Sequence, residues 1–339
     1  MTVRILEGDC REVLRTLPEK SVHCCVTSPP YFGLRDYGVD GQIGLEETPS
    51  AFVEETVAVF REVWRVLRDD GTLWLNLGDS YANDTKWGGS SGGKHVSALH
   101  GKSGIGRGRV HTGLKAKDLI GIPWRVAFAL QADGWYLRQD IIWSKPNPMP
   151  ESVTDRCTKA HEYIFLMSKS PRYHYDADAI VEALATDPSE NYPARAKITG
   201  RGGQGAAGAR GNDRDKSGGF PPKRGVPPRH SDYASSDQSG LDSVGRGMGR
   251  NKRSVWSVAT APFTEAHFAT FPPALIEPCI LAGCPEGGTV LDPFGGAGTT
   301  GLVADRLQRD ALLIELNPAY AEIARRRISN DAPLFSAAE

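Results

Sequence analysis

Residues 289–317, "TVLDPFGGAGTTGLVADRLQRDALLIELN", read as strand, glycine-rich turn, helix and strand in that order. The apolar run stops at Asp292 and Pro293, and Gly295, Gly296 and Gly298 follow before the helical spacing of Leu302 and Val303 begins. Glycine has no Cβ and tolerates positive φ, so a turn of this kind lets a ligand approach the backbone closely. Glu315 stands twenty-three residues after Asp292 at the end of the second strand, where an acid accepts hydrogen bonds from ribose hydroxyls. The helix "NPAYAEIARRRIS" then closes a βαβα unit. A turn needed only for packing has no reason to present strand, glycines, helix, strand and acid in this order. A dinucleotide site uses the same architecture, so the stretch decides the fold and leaves the ligand open.

Outward from this unit, the first half of the chain alternates in the same way. "VRILEG", "SVHCCVTS", "TLWLNLGD", "YLRQDIIWSK" and "EYIFLMSK" read as strands. Between them lie the helical stretches "CREVLRTLP", "PSAFVEETVAVFREVWRVLRDDG" and "KDLIGIPWRVAFALQADGW". The second carries Phe52, Phe60, Val63, Trp64 and Leu67 on one stripe with Gly71 as its stop, and Pro123 breaks the start of the third. "FPPALIEPCILAGC" is a further helix, opened by prolines. The alternation predicts an α/β fold, a doubly wound and mostly parallel sheet with helices on both faces. Residues 1–175 and 259–330 are expected as two halves of one domain, 176–258 as an insertion without periodicity, and 331–339 as a tail. A chain of 339 residues has room for that domain and its insertion without structural staples.

The six cysteines, Cys10, Cys24, Cys25, Cys157, Cys279 and Cys284, form no C-x-x-C pair and accompany no histidine cluster, so neither a metal site nor a disulfide framework is expected. The N-terminus has no signal pattern and no apolar run reaches membrane-spanning length, which predicts a soluble, cytoplasmic protein. A formal charge of −1 conceals a strong asymmetry. Residues 195–253 hold thirteen Lys and Arg against five Asp and Glu, a net +8, and residues 83–117 hold seven against one, a net +6, which leaves −15 for the rest. Both segments are rich in Gly and Ser and read as loops. One such loop is an ordinary solvated linker; two in an otherwise acidic chain point to a polyanion.

In "CCVTSPPYFGLRDYG", residues 24–38, an apolar run ends in Ser28, two prolines that cannot continue a central strand, and the aromatics Tyr31 and Phe32, a group presented rather than buried. With "DPFGGAGTT" downstream, "TSPPY" resembles the amino-methylating DNA methyltransferases that use S-adenosylmethionine, whose catalytic tetrapeptide is Asp, Asn or Ser followed by Pro-Pro and an aromatic. The resemblance extends through "EGDC", "LNLGDSY", "IPWRVAFALQADGWYLRQDIIWSKPNPMPES", "HEYIFLMSKS" and "HFATFPPALIEPCILAGC", nearly the whole chain outside the basic insertion. The tetrapeptide precedes the cofactor loop with that insertion between them, an order similar to the circularly permuted beta group of the family. The resemblance makes residues 1–175 the catalytic half, 259–330 the cofactor half and 176–258 the target-recognition insertion.

The chemistry fits the residues. An exocyclic amino group is a poor nucleophile because its lone pair is delocalised, and it improves when acceptors hold its hydrogens. Ser28 Oγ and the Pro29 carbonyl are suited to that work, Pro29 and Pro30 stiffen the turn, and Tyr31 offers a face to a base turned out of the duplex. The resemblance further implies that Asp9 and Cys10 of "EGDC" meet the cofactor adenine beside Phe294 and that Phe271 lies along the methionine end. By the same resemblance Asp292, Gly295, Gly296, Gly298 and Thr299 shape the loop and Glu315 holds the ribose. Asp9 also suits a helix cap. Cys24 and Cys25 read as core, Asp79 as a loop-ordering residue, and Trp143 with Lys145 as walls of the target pocket or as a buried aromatic beside a snorkelling lysine. Contacts to double-stranded DNA are expected from Lys94, Arg107 and Arg109 in the first basic segment and from Arg250, Lys252 and Arg253 in the second. The permuted group implies a homodimer. An RNA methyltransferase with the same site and a DNA-binding module without catalysis remain as rivals, and adenine N6 and cytosine N4 both accord with Ser28.

Overall fold

The computed structural model describes residues 1–34, 36–82, 113–183, 249–260 and 270–331. Met1–Ile180 with Lys252–Glu339 make one compact unit and Val181–Asn251 another. The first unit is built on an eight-stranded sheet in the order β1-β10-β9-β2-β3-β5-β4-β8. Its strands are β1 (Val3–Glu7), β2 (Val22–Thr27), β3 (Leu67–Leu77), β4 (Tyr136–Ser144), β5 (His161–Ser168), β8 (Val255–Ser257), β9 (Thr289–Asp292) and β10 (Asp310–Glu315). All pairings are parallel except the two made by β5, so β5 alone runs against the rest. In the second unit, β6 (Glu182–Ala183) and β7 (Gly249–Arg250) pair antiparallel.

Helices cover both faces, and the alternation of side chains along the strands separates the layers. Cys25, Leu73, Leu75 and Phe165 face α1 (Cys10–Thr16), α2 (Pro49–Val66) and α3 (Ile122–Ala132), which contribute Leu14, Phe60, Val63, Val126 and Leu130 to that core. Cys24, Trp74, Ile164 and Leu166 point the other way, toward Leu275, Cys279 and Ile280 of α4 (Pro273–Gly283) and Val303 and Ala304 of α5 (Thr299–Arg306). Cys24 and Cys25 are both fully buried, as expected of core residues. The last helix, α6 (Pro318–Asp331), follows β10.

Three expectations are corrected here. Helix α2 ends at Val66, and Gly71 lies inside β3. A Cβ at Gly71 would sit 2.5 Å from Leu67 Cγ and 2.9 Å from the His23 carbonyl oxygen, beside a register irregularity between Val22 and Cys24, so this glycine serves the irregular pairing of β3 with β2 and not a helix stop. The bounds 176–258 for the insertion are too wide: the short 3₁₀ turn Asp178–Ile180 and β8 belong to the first unit, where Trp256 is buried and pairs in register with Trp143. Asp331, the first residue of the expected tail, lies in α6 and takes the Arg306 guanidinium at 2.6 Å. Among the described residues, no helix is long and apolar enough to cross a membrane, and no cluster of three or more His, Cys, Asp or Glu is placed to hold a metal ion.

Candidate active site

The carboxyl ends of β1, β2, β9 and β10 open on a cavity of about 270 Å³, which Gly8–Cys10, Ser28–Tyr31, Asp292–Ala297 and Ile314–Asn317 help to line. At one end the glycine turn is held from below. The buried Asp292 carboxylate accepts the hydroxyls of Thr27 and Thr300, each at 2.6 Å, and the Phe294 amide at 3.0 Å. Burial raises its pKa and these three donors oppose the rise. Gly298 has φ +76, and a Cβ there would lie 2.8 Å from Ala324 Cβ, so only glycine lets the turn seat against α6. Arg327 of α6 clips the same turn through Nη1 to Thr299 Oγ1 at 2.8 Å and to the Ala297 carbonyl at 3.1 Å.

Glu315 faces the turn and accepts the amides of Gly296 and Asn317, each at 2.8 Å. Burial pushes its carboxyl above the usual range against those two bonds. Across the cavity Asp9 caps α1, its Oδ1 accepting the Arg11 amide at 2.8 Å, and both its oxygens take the Arg11 guanidinium. Burial favours the protonated form of Asp9, but the hydrogen bonds and charge of Arg11 prevail and hold the carboxyl below its usual range. Cys10, the first residue of α1, is buried and its thiol is pushed up to about 12 by burial, so it contributes a neutral wall. Phe271 and Phe294 are half-buried on the cavity lining.

The other end of the cavity is the Ser28–Tyr31 turn. Asn76 of β3 donates from Nδ2 to Ser28 Oγ at 3.2 Å and to Tyr31 Oη at 2.9 Å. Tyr31 Oη donates to Glu162 Oε2 at 2.6 Å, and Glu162 Oε1 takes the Lys145 ammonium. Burial and the adjacent Glu162 carboxylate raise the Tyr31 phenol well above its ordinary value, so it is a neutral donor at every working pH. The ring packs against Gly78, where a Cβ would lie 2.5 Å from Tyr31 Cε2. Lys145 Nζ also sits 4.2 Å from the centroid of Trp143, whose indole donates to the Val258 carbonyl at 2.7 Å. Trp143 is therefore both buried and a cavity wall, with Lys145 beside it.

Residues 22–326 match the DNA methylase family. The chain belongs to that family. It is 44% identical over 331 residues to the Type II methyltransferase M.Cfr9I of Citrobacter freundii, with 96% of this chain and 88% of that protein covered. It is 43% identical to the Type II methyltransferase M.SmaI of Serratia marcescens, with 96% and 90% covered. Among solved structures, the cytosine-N4-specific PvuII DNA methyltransferase shares the fold at TM-score 0.58 and 18% identity, covering 98% of this chain and 91% of its own. A Thermus thermophilus protein complexed with S-adenosyl-L-methionine shares it at TM-score 0.54 and 24% identity, covering 98% of each.

In this methylase the fold brings the tetrapeptide and the expected cofactor residues to one cavity except Gly298, which packs against α6 behind the turn, and Asp292 spends its carboxylate on the protein itself. Asp79 orders the loop after β3 and caps α3, accepting the Ser80, Gly121 and Ile122 amides at 2.9–3.1 Å. Phe32 is a correction: it is 2% exposed and packs on Phe52, so of the two aromatics after the prolines only Tyr31 reaches the site. Lys94, Arg107 and Arg109 lie outside the described residues. Arg250 pairs with Glu182 at 3.3 Å inside the second unit, and Lys252 lies 5.1 Å from the Trp256 ring centroid in the first. Three contributors had no assigned role in the sequence: Asn76, Glu162 and Arg327. Asn76 and Glu162 carried a usable signal, a polar residue inside "LWLNL" and an acid heading the apolar run "YIFLM".

Proposed function

We propose that the methylase transfers a methyl group from S-adenosylmethionine to the exocyclic amino nitrogen of an adenine or cytosine turned out of double-stranded DNA. The observation that carries this reading is the single cavity joining the Gly295–Gly298 turn and Glu315 to the Ser28–Tyr31 turn. The residues present suit that cofactor. Glu315 keeps acceptor capacity beyond its two backbone donors, Gly296 presents bare backbone, and Phe271, Phe294 and the neutral Cys10 give apolar walls around the charged pair Asp9–Arg11. Bound there, S-adenosylmethionine supplies an electrophilic methyl group on a sulfonium.

The protein's own part is to orient the amino group. Ser28 Oγ accepts one hydrogen bond from Asn76 and retains a lone pair for an amino hydrogen, while the Pro29 carbonyl takes the second hydrogen. Holding both hydrogens favours a pyramidal nitrogen, whose lone pair then faces the methyl donor. Tyr31, packed against Gly78 and lining the cavity, stacks on the base. The order of tetrapeptide, basic insertion and cofactor loop supports placement in the permuted beta group. Lys94, Arg107, Arg109, Arg250, Lys252 and Arg253 are proposed as DNA contacts on the strength of their charge. The test is transfer of label from S-adenosylmethionine to a mixed-sequence duplex and to RNA of the same sequence. Label in the duplex and not in the RNA is expected; the reverse pattern, or none in either, overturns the reading.

A further inference from the structure

Three separate segments converge beneath the tetrapeptide, which is the turn after β2: Asn76 in β3, Lys145 just past β4 and Glu162 at the head of β5. The side chains of Lys145 and Glu162 are only 17% and 14% exposed. A carboxylate accepts and never donates, and each oxygen of this one has work. Oε1 holds the ammonium; Oε2 takes the Tyr31 hydroxyl at 2.6 Å and Asn76 Nδ2 at 3.2 Å. Asn76 Nδ2 has two hydrogens and three acceptors within 3.2 Å, Ser28 Oγ, Tyr31 Oη and Glu162 Oε2, so its position depends on the last two while it holds the first.

We propose that Glu162, held by Lys145, is a positioning residue for methyl transfer: it fixes the Tyr31 hydroxyl directly and Ser28 Oγ through Asn76, so that one buried charge orients both ends of the tetrapeptide. The inference rests on the amino-transfer reading above. Charge, not shape, is what position 162 supplies. A glutamine there has nearly the same volume but one acceptor end and one donor end. If the donor end faces Lys145 it meets an ammonium, and if it faces Asn76 and Tyr31 it meets the Asn76 amide donor and leaves the Tyr31 hydroxyl without the acceptor that holds its proton. Neither orientation satisfies both sides.

The test compares wild type with Glu162→Gln, Tyr31→Phe and the double variant, using labelled S-adenosylmethionine and mixed-sequence duplex DNA. Glu162→Gln should lower kcat about 10- to 100-fold, the range expected from a lost charge-assisted hydrogen bond, with calorimetric affinity for S-adenosylmethionine unchanged. In the Tyr31→Phe background the same change should cost much less, because the carboxylate has lost one of the two groups through which it acts. In protein carrying carbon-13 at the tyrosine Cζ, the resonance missing from Tyr31→Phe should move in Glu162→Gln. Lys145→Met, which leaves Glu162 intact but unpaired, should also lower kcat at unchanged cofactor affinity. Wild-type kcat in Glu162→Gln or in Lys145→Met, losses that simply multiply in the double variant, or an unmoved Tyr31 resonance would each overturn the proposal. A wild-type protein that methylates no DNA amino group fails the functional reading instead, and the resonance still decides whether Glu162 holds Tyr31.

Discussion

Tyr31 has a ring that rests on Gly78 and a hydroxyl bonded to Glu162, so its two contributions can be removed one at a time. Tyr31→Ala deletes the stacking face as well as the hydroxyl, and stacking is worth ~1–3 kcal/mol per base. Turnover should fall below that of Tyr31→Phe while calorimetric cofactor affinity persists, and wild-type rates in the alanine variant would contradict the clamp. Glu315 gives a second prediction, because burial holds its carboxyl above the usual range. Ribose hydroxyls donate to a carboxylate, so cofactor affinity should fall as pH drops through that raised value, and Glu315→Gln should bind weakly at every pH. The linkage to folding has the opposite sign. A group with a raised folded pKa stabilises the fold at low pH and loses that contribution as pH rises through the raised value. Calorimetric titrations across pH check the first; a flat affinity in wild type would remove Glu315 from the ribose role. That Ser28–Tyr31, Gly295, Gly296 and Glu315 share one cavity accords with motifs that stand out in the sequence, because each lies within a few residues. Asn76 and Glu162 show in the sequence only as polar residues in apolar runs; their work was not legible, since their partners lie 48 and 131 residues away, at Ser28 and Tyr31, and only the sheet brings them together.

The glycine turn and α6 form the element on which the cofactor end depends. Gly298→Ala must place a Cβ 2.8 Å from Ala324 at a φ of +76, a strain of about 1–3 kcal/mol. The variant should melt at lower temperature and lose cofactor affinity together, and Ala324→Gly in the same chain should restore part of both. An unaffected melting temperature in Gly298→Ala would show that the turn and helix do not press on each other as described. The elements themselves were mostly readable, because apolar runs and helical stripes are local patterns. Gly71 shows where that reading fails: a glycine after a helical stripe looks like a stop, and only the pairing of β3 with β2 makes it part of a strand. The three residues of β8 are too few for a period of their own, and their place beside β4 comes from pairing.

At the scale of the whole molecule, the excess basic charge falls in two stretches of the sequence, residues 83–117 and 195–253. The basic segments contain Lys94, Arg107 and Arg109 outside the described residues, whereas Arg250 and Lys252 are engaged by Glu182 and Trp256. Each phosphate contact contributes about −0.9 to the slope of log affinity against log salt. Changing Lys94, Arg107 and Arg109 together to alanine should therefore flatten the slope by up to about three and weaken binding to all duplexes alike. Arg250→Ala and Lys252→Ala should flatten it less, since those side chains already have partners within the protein. An unchanged slope in the first triple variant would make that segment a solvated linker. The most direct test of the central claim is nucleoside mass spectrometry of a mixed-sequence duplex after incubation with the methylase and labelled S-adenosylmethionine. The label should appear on an exocyclic amino nitrogen, as N6-methyladenine or N4-methylcytosine, and should be lost with Tyr31→Ala; label on a ring carbon, or label that survives that substitution in full, would contradict it.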